Sequence, residues 1–362
     1  MPRNRIIYQS QAVALLIQND AGNLVASGPN AHTNWKVLDG IQSLNYGVEV
    51  AREDVYQFGR LSAADRILLE PPTVTAEISM YYPTVNIGIA DFTQLLTNSI
   101  KGSSNSQLAM AIDADAEDFK AKVGVETTLI QGANMSSFGY EASVGAIPTL
   151  TLGFEGTSMS YNVSGLDVDS VFAVDEMVDN QTGAGAQTLR NKIIPFTGVV
   201  ISIADTVTSN GVTGVSGNVS LFTHFTNAQS ANLSFDLGFE GLQRLGNADG
   251  MQYARVATLP ATATLDLEAI AIDRGLGILF GTTLFSQKAS AGTSLNAGGR
   301  ADVAIVIGST VGSIQTFKLQ KATLDSSNYT AGMGDNATCS ASFGVSISST
   351  APGAEDSALV FI

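Results

Sequence analysis

A single offset relates the first half of this chain to the second. At 187 residues, RNRII (3–7) meets RNKII (190–194), Trp35 meets Phe222, QSLN (42–45) meets QSAN (229–232) and Glu53 meets Glu240. After a two-residue adjustment, Arg66 meets Arg255, TVTAEI (73–78) meets TATLDL (262–267), IQGANMSSFGY (130–140) meets LQKATLDSSNY (319–329), and Phe154 meets Phe343. Val171-Phe172 then falls on Val360-Phe361. Self-similarity at one long period marks a repeated structural unit, and it constrains the fold before any element is read. The chain is expected to be an internal duplication, with one module over 1–173 and a second over 190–362. Between them, VDEMVDNQTGAGAQTL (174–189) has the Gly, Ala, Gln and Thr content of a linker and no apolar period.

Within each module the clearest period is two. Leu44, Tyr46, Val48 and Val50 alternate with Asn45, Gly47 and Glu49, and Leu233, Phe235 and Leu237 with Ser234, Asp236 and Gly238. Val74, Ala76 and Ile78 alternate with Thr75 and Glu77; TLTLGFEG (149–156) and TCSASFGV (338–345) continue the pattern. Such alternation predicts strands with one buried face. Only 14% of the residues are charged, so much of the polar surface must be Gly, Ser, Thr, Asn and Gln, which suits strands and turns. Helical spacing is confined to ADFTQLLTNSI (90–100), with Asp91 as a cap, and more weakly to GLGILFGTTLF (275–285). The predicted fold is mainly β: two similar sandwich or barrel-forming modules, each with about one short helix.

The net charge of −15 and pI of about 4.4 argue against tight phosphate binding, which needs clustered Lys and Arg. Cys339 is the single cysteine, which excludes an intrachain disulfide and a cysteine-based zinc site. Val13 to Ile17 is shorter than a signal-peptide core, and no run approaches membrane-spanning length. A protein made in the cytoplasm without membrane insertion is the expectation.

Motifs of catalysis fail on their spacing. DADAED (113–118) has the alternating carboxylates of a calcium loop, but Asp118 stands at the sixth position and Gly124 at the twelfth. GLGILFG (275–281) departs from the dinucleotide fingerprint, and GSTVGS (308–313) has no P-loop lysine. His32 and His224 do not coincide in the repeat, and no G-x-S-x-G elbow occurs. No catalytic, cofactor or metal residues are assigned, and a non-enzymatic role is expected. What the repeat does place in equivalent strand positions is a set of acids: Glu49 with Asp236, and Glu77 with Asp266.

The two copies, the RNRIIYQS and RNKII openings, the long alternating strands, one short helix per module, the Ser/Thr/Gly/Asn-rich loops and the acidic pI resemble the tail tube (major tail) proteins of tailed bacteriophages, in their duplicated form. That resemblance implies stacked trimeric, pseudo-hexameric rings, with strands of all modules joined in a barrel around a channel for genome and tape-measure protein. It implies self-association, contact with other tail proteins such as tape measure or sheath, DNA only in transit, and residence in the virion tail. Glu49, Glu77, Asp236 and Asp266 would then face the lumen. The alternative is a tandem β-sandwich binding or adhesion protein of a particle surface, and a hydrolase is the remote third.

Overall fold

Residues that alternate in the sequence alternate in burial. In Thr73–Tyr81 the side chains of Val74, Ala76, Ile78 and Met80 are buried while Thr75 and Glu77 are exposed, and Thr262–Ile270 repeats this with Ala263, Leu265, Leu267 and Ala269. The computed structural model describes residues 11–17, 35–38, 40–59, 61–62, 65–68, 72–82, 89–101, 106–112, 126–161, 199–205, 228–242, 254–270, 300–308, 314–333, 336–347 and 358–361. The linker, both histidines, RNRII and RNKII, the 113–118 acids and the 275–285 segment lie outside them.

The first half contains β1 (Gln11–Leu16), β2 (Trp35–Val37), β3 (Ile41–Glu49), β4 (Arg52–Val55), β5 (Asp65–Leu68), β6 (Thr73–Tyr81), α1 (Ile89–Lys101), β7 (Gln107–Ile112), β8 (Glu126–Gln131), β9 (Asn134–Ser143), β10 (Thr149–Gly156) and β11 (Ser158–Tyr161). The second contains β12 (Val199–Asp205), β13 (Ala228–Asp236), β14 (Phe239–Leu242), β15 (Ala254–Ala257), β16 (Thr262–Ile270), β17 (Arg300–Gly308), β18 (Ile314–Thr330), β19 (Thr338–Ser346) and β20 (Ala358–Phe361). The fold is mainly β, and among the described residues α1 is the one helix, where the spacing over 90–100 predicts it.

A long antiparallel sheet runs β12-β17-β18-β19-β16-β13-β9-β10-β6-β3, with β20 also beside β18. A second sheet, β11-β8-β7-β1-β2, covers it in the first half, and β4–β5 and β14–β15 form separate hairpins. The two halves are not independent lobes. β9 pairs with β13 from Ser143↔Ser230 to Ser137↔Asp236, and one buried cluster runs from Val13 to Leu359.

The pairs β3·β6, β6·β10 and β9·β10 match β13·β16, β16·β19 and β18·β19 residue for residue at the offsets of the sequence, whereas β17 is displaced by several residues relative to β7. Leu44 opposes Ile78 and Ile78 opposes Leu152; Ala231 opposes Leu267 and Leu267 opposes Ala341. The irregularities match too. The register of β9 against β10 skips Ser136, and that of β18 against β19 skips Asp325, 189 positions on. An extra residue of this kind bends and twists its strand.

At the corner between layers, Gly132 adopts φ 61°, and a Cβ there would strike the Thr157 side chain. Its counterpart is Lys321, with φ 50°, where the chain continues as the 17-residue β18 and so serves both layers. One edge differs. Beside β8 lies Ser158–Tyr161, whereas the same place beside β18 is taken by Ala358–Phe361; Val171 and Phe172 lie outside the described residues.

Helix α1 covers the join. Asp91 sits in its first turn and Lys101 in its last, complementing the helix dipole. Phe92, Leu95, Leu96 and Ile100 are buried. The Met135 N–H donates to Ser99 Oγ at 2.7 Å, tying the helix to β9, and α1 also contacts β15 and β20 of the other half. Beneath it, Phe138 of β9 stacks on Phe235 of β13 at 5.3 Å, and Phe317 of β18 meets Tyr82, Phe138 and Tyr140 edge-on. Burial pushes both tyrosine hydroxyls well above their ordinary value.

Candidate functional site: the polar face of the long sheet

Opposite the buried rows lies a face built by eight strands, β3 through β18. One row crosses it as Asn45, Glu77, Gly153, Ser137 and Asp236. Another reads Thr149, Glu141, Asn232, Asp266, Ser342 and Ser326. Between them run Ser43, Ser79, Thr151, Gly139, Ser234, Thr264, Gly344 and Thr323. Hydroxyls bond along this surface: Ser234 Oγ and Thr264 Oγ1 are 3.2 Å apart, and Thr323 Oγ1 donates to the Gly344 carbonyl at 3.2 Å.

The structure places Glu49, Glu77, Asp236 and Asp266 together on this face, all exposed. Glu49 stands at the end of β3 opposite Thr73. Period two, carried one strand further, finds three acids that the repeat comparison passes over: Glu141, Glu155 and Glu268. Glu155 lies at the polar position of TLTLGFEG, and Glu141 follows Tyr140 in a segment matched only for its likeness to Tyr329.

No two of these seven acids oppose each other directly. Glu77 is flanked by Asn45 and Gly153, Asp266 by Asn232 and Ser342, and Glu268 by Ser230 and Ser340. Glu77 and Asp236 are three strands apart, about 14 Å at ordinary strand spacing and beyond the screening length at physiological salt. Acids that far apart share the face at little cost in stability, whereas Asp236 stands close enough to Glu155 for its charge to be felt there. From β3 to β18 no lysine or arginine occupies a described position in these rows; one strand further, Arg300 of β17 stands opposite Thr323.

One cation reaches the margin. Arg255 of β15 is buried, and its Nη1 donates to the Glu155 carboxylate, linking the halves across 100 residues. Its Nε has no hydrogen-bond partner among the described residues. Burial raises the Glu155 carboxyl above its ordinary value more than Arg255 lowers it, and neighbouring Asp236 adds to the rise.

Trp35 is half-buried in β2 and not part of this face. Among the described residues no cluster of three or more His, Cys, Asp or Glu gathers in metal-binding geometry, and no helix is long and apolar enough to cross a membrane.

No family model matches the chain, and no curated protein matches it. Among solved structures it is similar to one titled "Crystal structure of Hcp protein", at 12% identity over 42% of this chain and 90% of that one, with a TM-score of 0.23.

Proposed function

We propose that this chain is a structural virion protein of a tailed bacteriophage that builds the tail tube, assembling as stacked, three-copy, pseudo-hexameric rings around a channel for the genome. The observation that carries this reading is the eight-strand polar face, which crosses both halves, bears dispersed acids and carries no basic side chain along its rows from β3 to β18. DNA adheres to proteins chiefly by exchanging its counterions for Lys and Arg. A face of hydroxyls, amides and acids offers no such exchange and repels the phosphates weakly, which suits passage rather than binding.

The matched registers and matched irregular residues support reading the halves as copies of one module, so that three chains present six units. Glu49, Glu77, Asp236 and Asp266 line the lumen in this reading, with Glu141, Glu155 and Glu268 beside them. The role is non-enzymatic, the chain is made in the host cytoplasm, and its partners are further copies of itself together with tape-measure and sheath-type tail proteins.

A specific observation favours the alternative, a tandem binding module of a particle surface. The β4–β5 hairpin carries exposed Tyr56, Phe58 and Leu61 near its tip, and apolar groups gathered this way often mark a contact. Negative-stain electron microscopy of the concentrated protein separates the two. Rings or tubes with a stained centre are expected; discrete single particles at every concentration would favour the binding module.

A further inference from the structure

The seam between the halves is complete on one side of each module and open on the other. β13 has β16 and β9 as neighbours, but its counterpart β3 has only β6 among the described residues. β9 has β10 and β13, whereas the matching stretch of β18, 324–330, pairs only with β19 among the described residues. Among the described residues two unlike edges thus have no strand partner, each the counterpart of a strand that is paired inside the chain.

We propose that β3 of one copy pairs antiparallel with residues 326–332 of a second copy in the register of the β9·β13 seam, setting Arg66 of the first against Asp325 of the second. This names the self-contact of the tube reading and rests on it. Transposing the seam puts Asn45 opposite Thr330 and Tyr46 opposite Tyr329, as Asn232 opposes Glu141 and Leu233 opposes Tyr140. Two flanking bonds transpose as well. Val144 N–H donates to the Gln229 carbonyl at 2.9 Å and Leu237 N–H to the Ser136 carbonyl at 2.6 Å; their counterparts are Met333 to Gln42 and Val50 to Asp325.

Charge supplies an independent sign of fit. In the internal seam Arg255 is held by Glu155. Arg66 corresponds to Arg255, but Gly344 stands where Glu155 would be. The carboxylate is restored from the neighbouring strand: Asp325 replaces Ser136 and lies over Gly344, where a Cβ would collide with it. Within its own chain Arg66 rests on Asp54 at 2.6 Å in an exposed pair, of the kind that contributes little and is readily exchanged. Ser327 and Val48 stand where Phe138 and Phe235 stack, so the contact between copies is weaker than the seam within one. Joining unlike edges also generates rings or filaments rather than closed two-fold pairs.

Paired cysteines test the register. Asn45→Cys with Thr330→Cys should form an intermolecular disulfide on mild oxidation, giving a ladder on non-reducing gels, while Asn45→Cys with Tyr329→Cys, one residue out of register, should not. Buried Cys339 leaves the background low, and each single variant controls for chance collision. Arg66→Asp should weaken association by about tenfold or more, and adding Asp325→Arg should recover it, as coupled charges do. Rings or tubes of the wild-type protein without a 45–330 cross-link would overturn this seam and leave the tube reading standing. A wild-type chain that stays monomeric, together with no 45–330 cross-link in the double variant, overturns both. Cross-linking at 45–329 with equal yield overturns the register.

Discussion

Tyr140 and Tyr329 occupy corresponding places on β9 and β18, yet the first is wholly buried and the second 62% exposed. Leu237 is wholly buried and its counterpart Val50 is 40% exposed; the Arg255 side chain is 5% exposed and that of Arg66 66%. Backbone register is the same in both regions. What differs among the described residues is the surroundings: Tyr140 has β13 beside it and the rings of Tyr82 and Phe317 over it, and Arg255 has Glu155, so burial here is decided by neighbours and not by residue type. The lesson is that an exposed apolar side chain on an edge strand is best judged against its twin elsewhere in the same molecule.

The widest separation between the regions is expected from aromatic truncation. Phe138→Ala empties a site packed by Phe92, Phe235 and Phe317 and should cost about 3–5 kcal/mol, read by denaturant unfolding. Tyr329→Ala should cost the unassembled chain less than about 0.5 kcal/mol. Equal costs would mean that the β18 edge is covered within one chain.

A smaller separation is expected between the two arginines. Glu155→Ala leaves the Arg255 guanidinium buried without its carboxylate and should cost about 3 kcal/mol, whereas Glu155→Gln, which keeps an acceptor, should cost much less. Arg66→Ala should cost the unassembled chain under about 1 kcal/mol. Glu155 also sets a pH dependence. Its carboxyl is raised from 4.5 in the folded chain, so the folded state holds the proton more tightly than the unfolded one. The stabilisation this gives is complete below that value and is lost as pH rises through the folded value. Thermal melts over the acid range should show this slope in the wild type and lack it in Glu155→Gln.

The smallest effect concerns the corner that both halves share. Gly132 takes a positive φ freely, while Lys321 holds φ 50° with a side chain attached. Lys321→Gly should stabilise the second half by up to about 1 kcal/mol, and Gly132→Ala should destabilise the first by more, because Thr157 fills the space its Cβ needs.

Much of this was legible in the residues. Alternation located β6, β10, β13, β16 and β19, and helical spacing located α1 to within a residue at each end. The exposure of Glu49, Glu77, Asp236 and Asp266 followed from period two alone. The Arg255–Glu155 pair was not legible, because nothing local to either residue signals a partner 100 positions away. The turn at Lys321 was hidden for a different reason: lysine has no preference for the left-handed region, and only its alignment with Gly132 exposes the site. The joining of the halves through β9 and β13 was invisible to periodicity, which assigns faces but never neighbours.

Alternation has a further blind spot, and the irregular residues Ser136 and Asp325 close it. Sliding one strand past another by two positions keeps every apolar side chain on the same face, so a strictly alternating sheet has many frames of almost equal energy. One supernumerary residue ends that degeneracy, because it fits a single frame and kinks the strand in any other. Both halves keep this mark at the same place while the side chain there changes from a hydroxyl to a carboxylate. The frame of the sheet is therefore written into the spacing of the backbone, and the residue carrying it stays free to diverge.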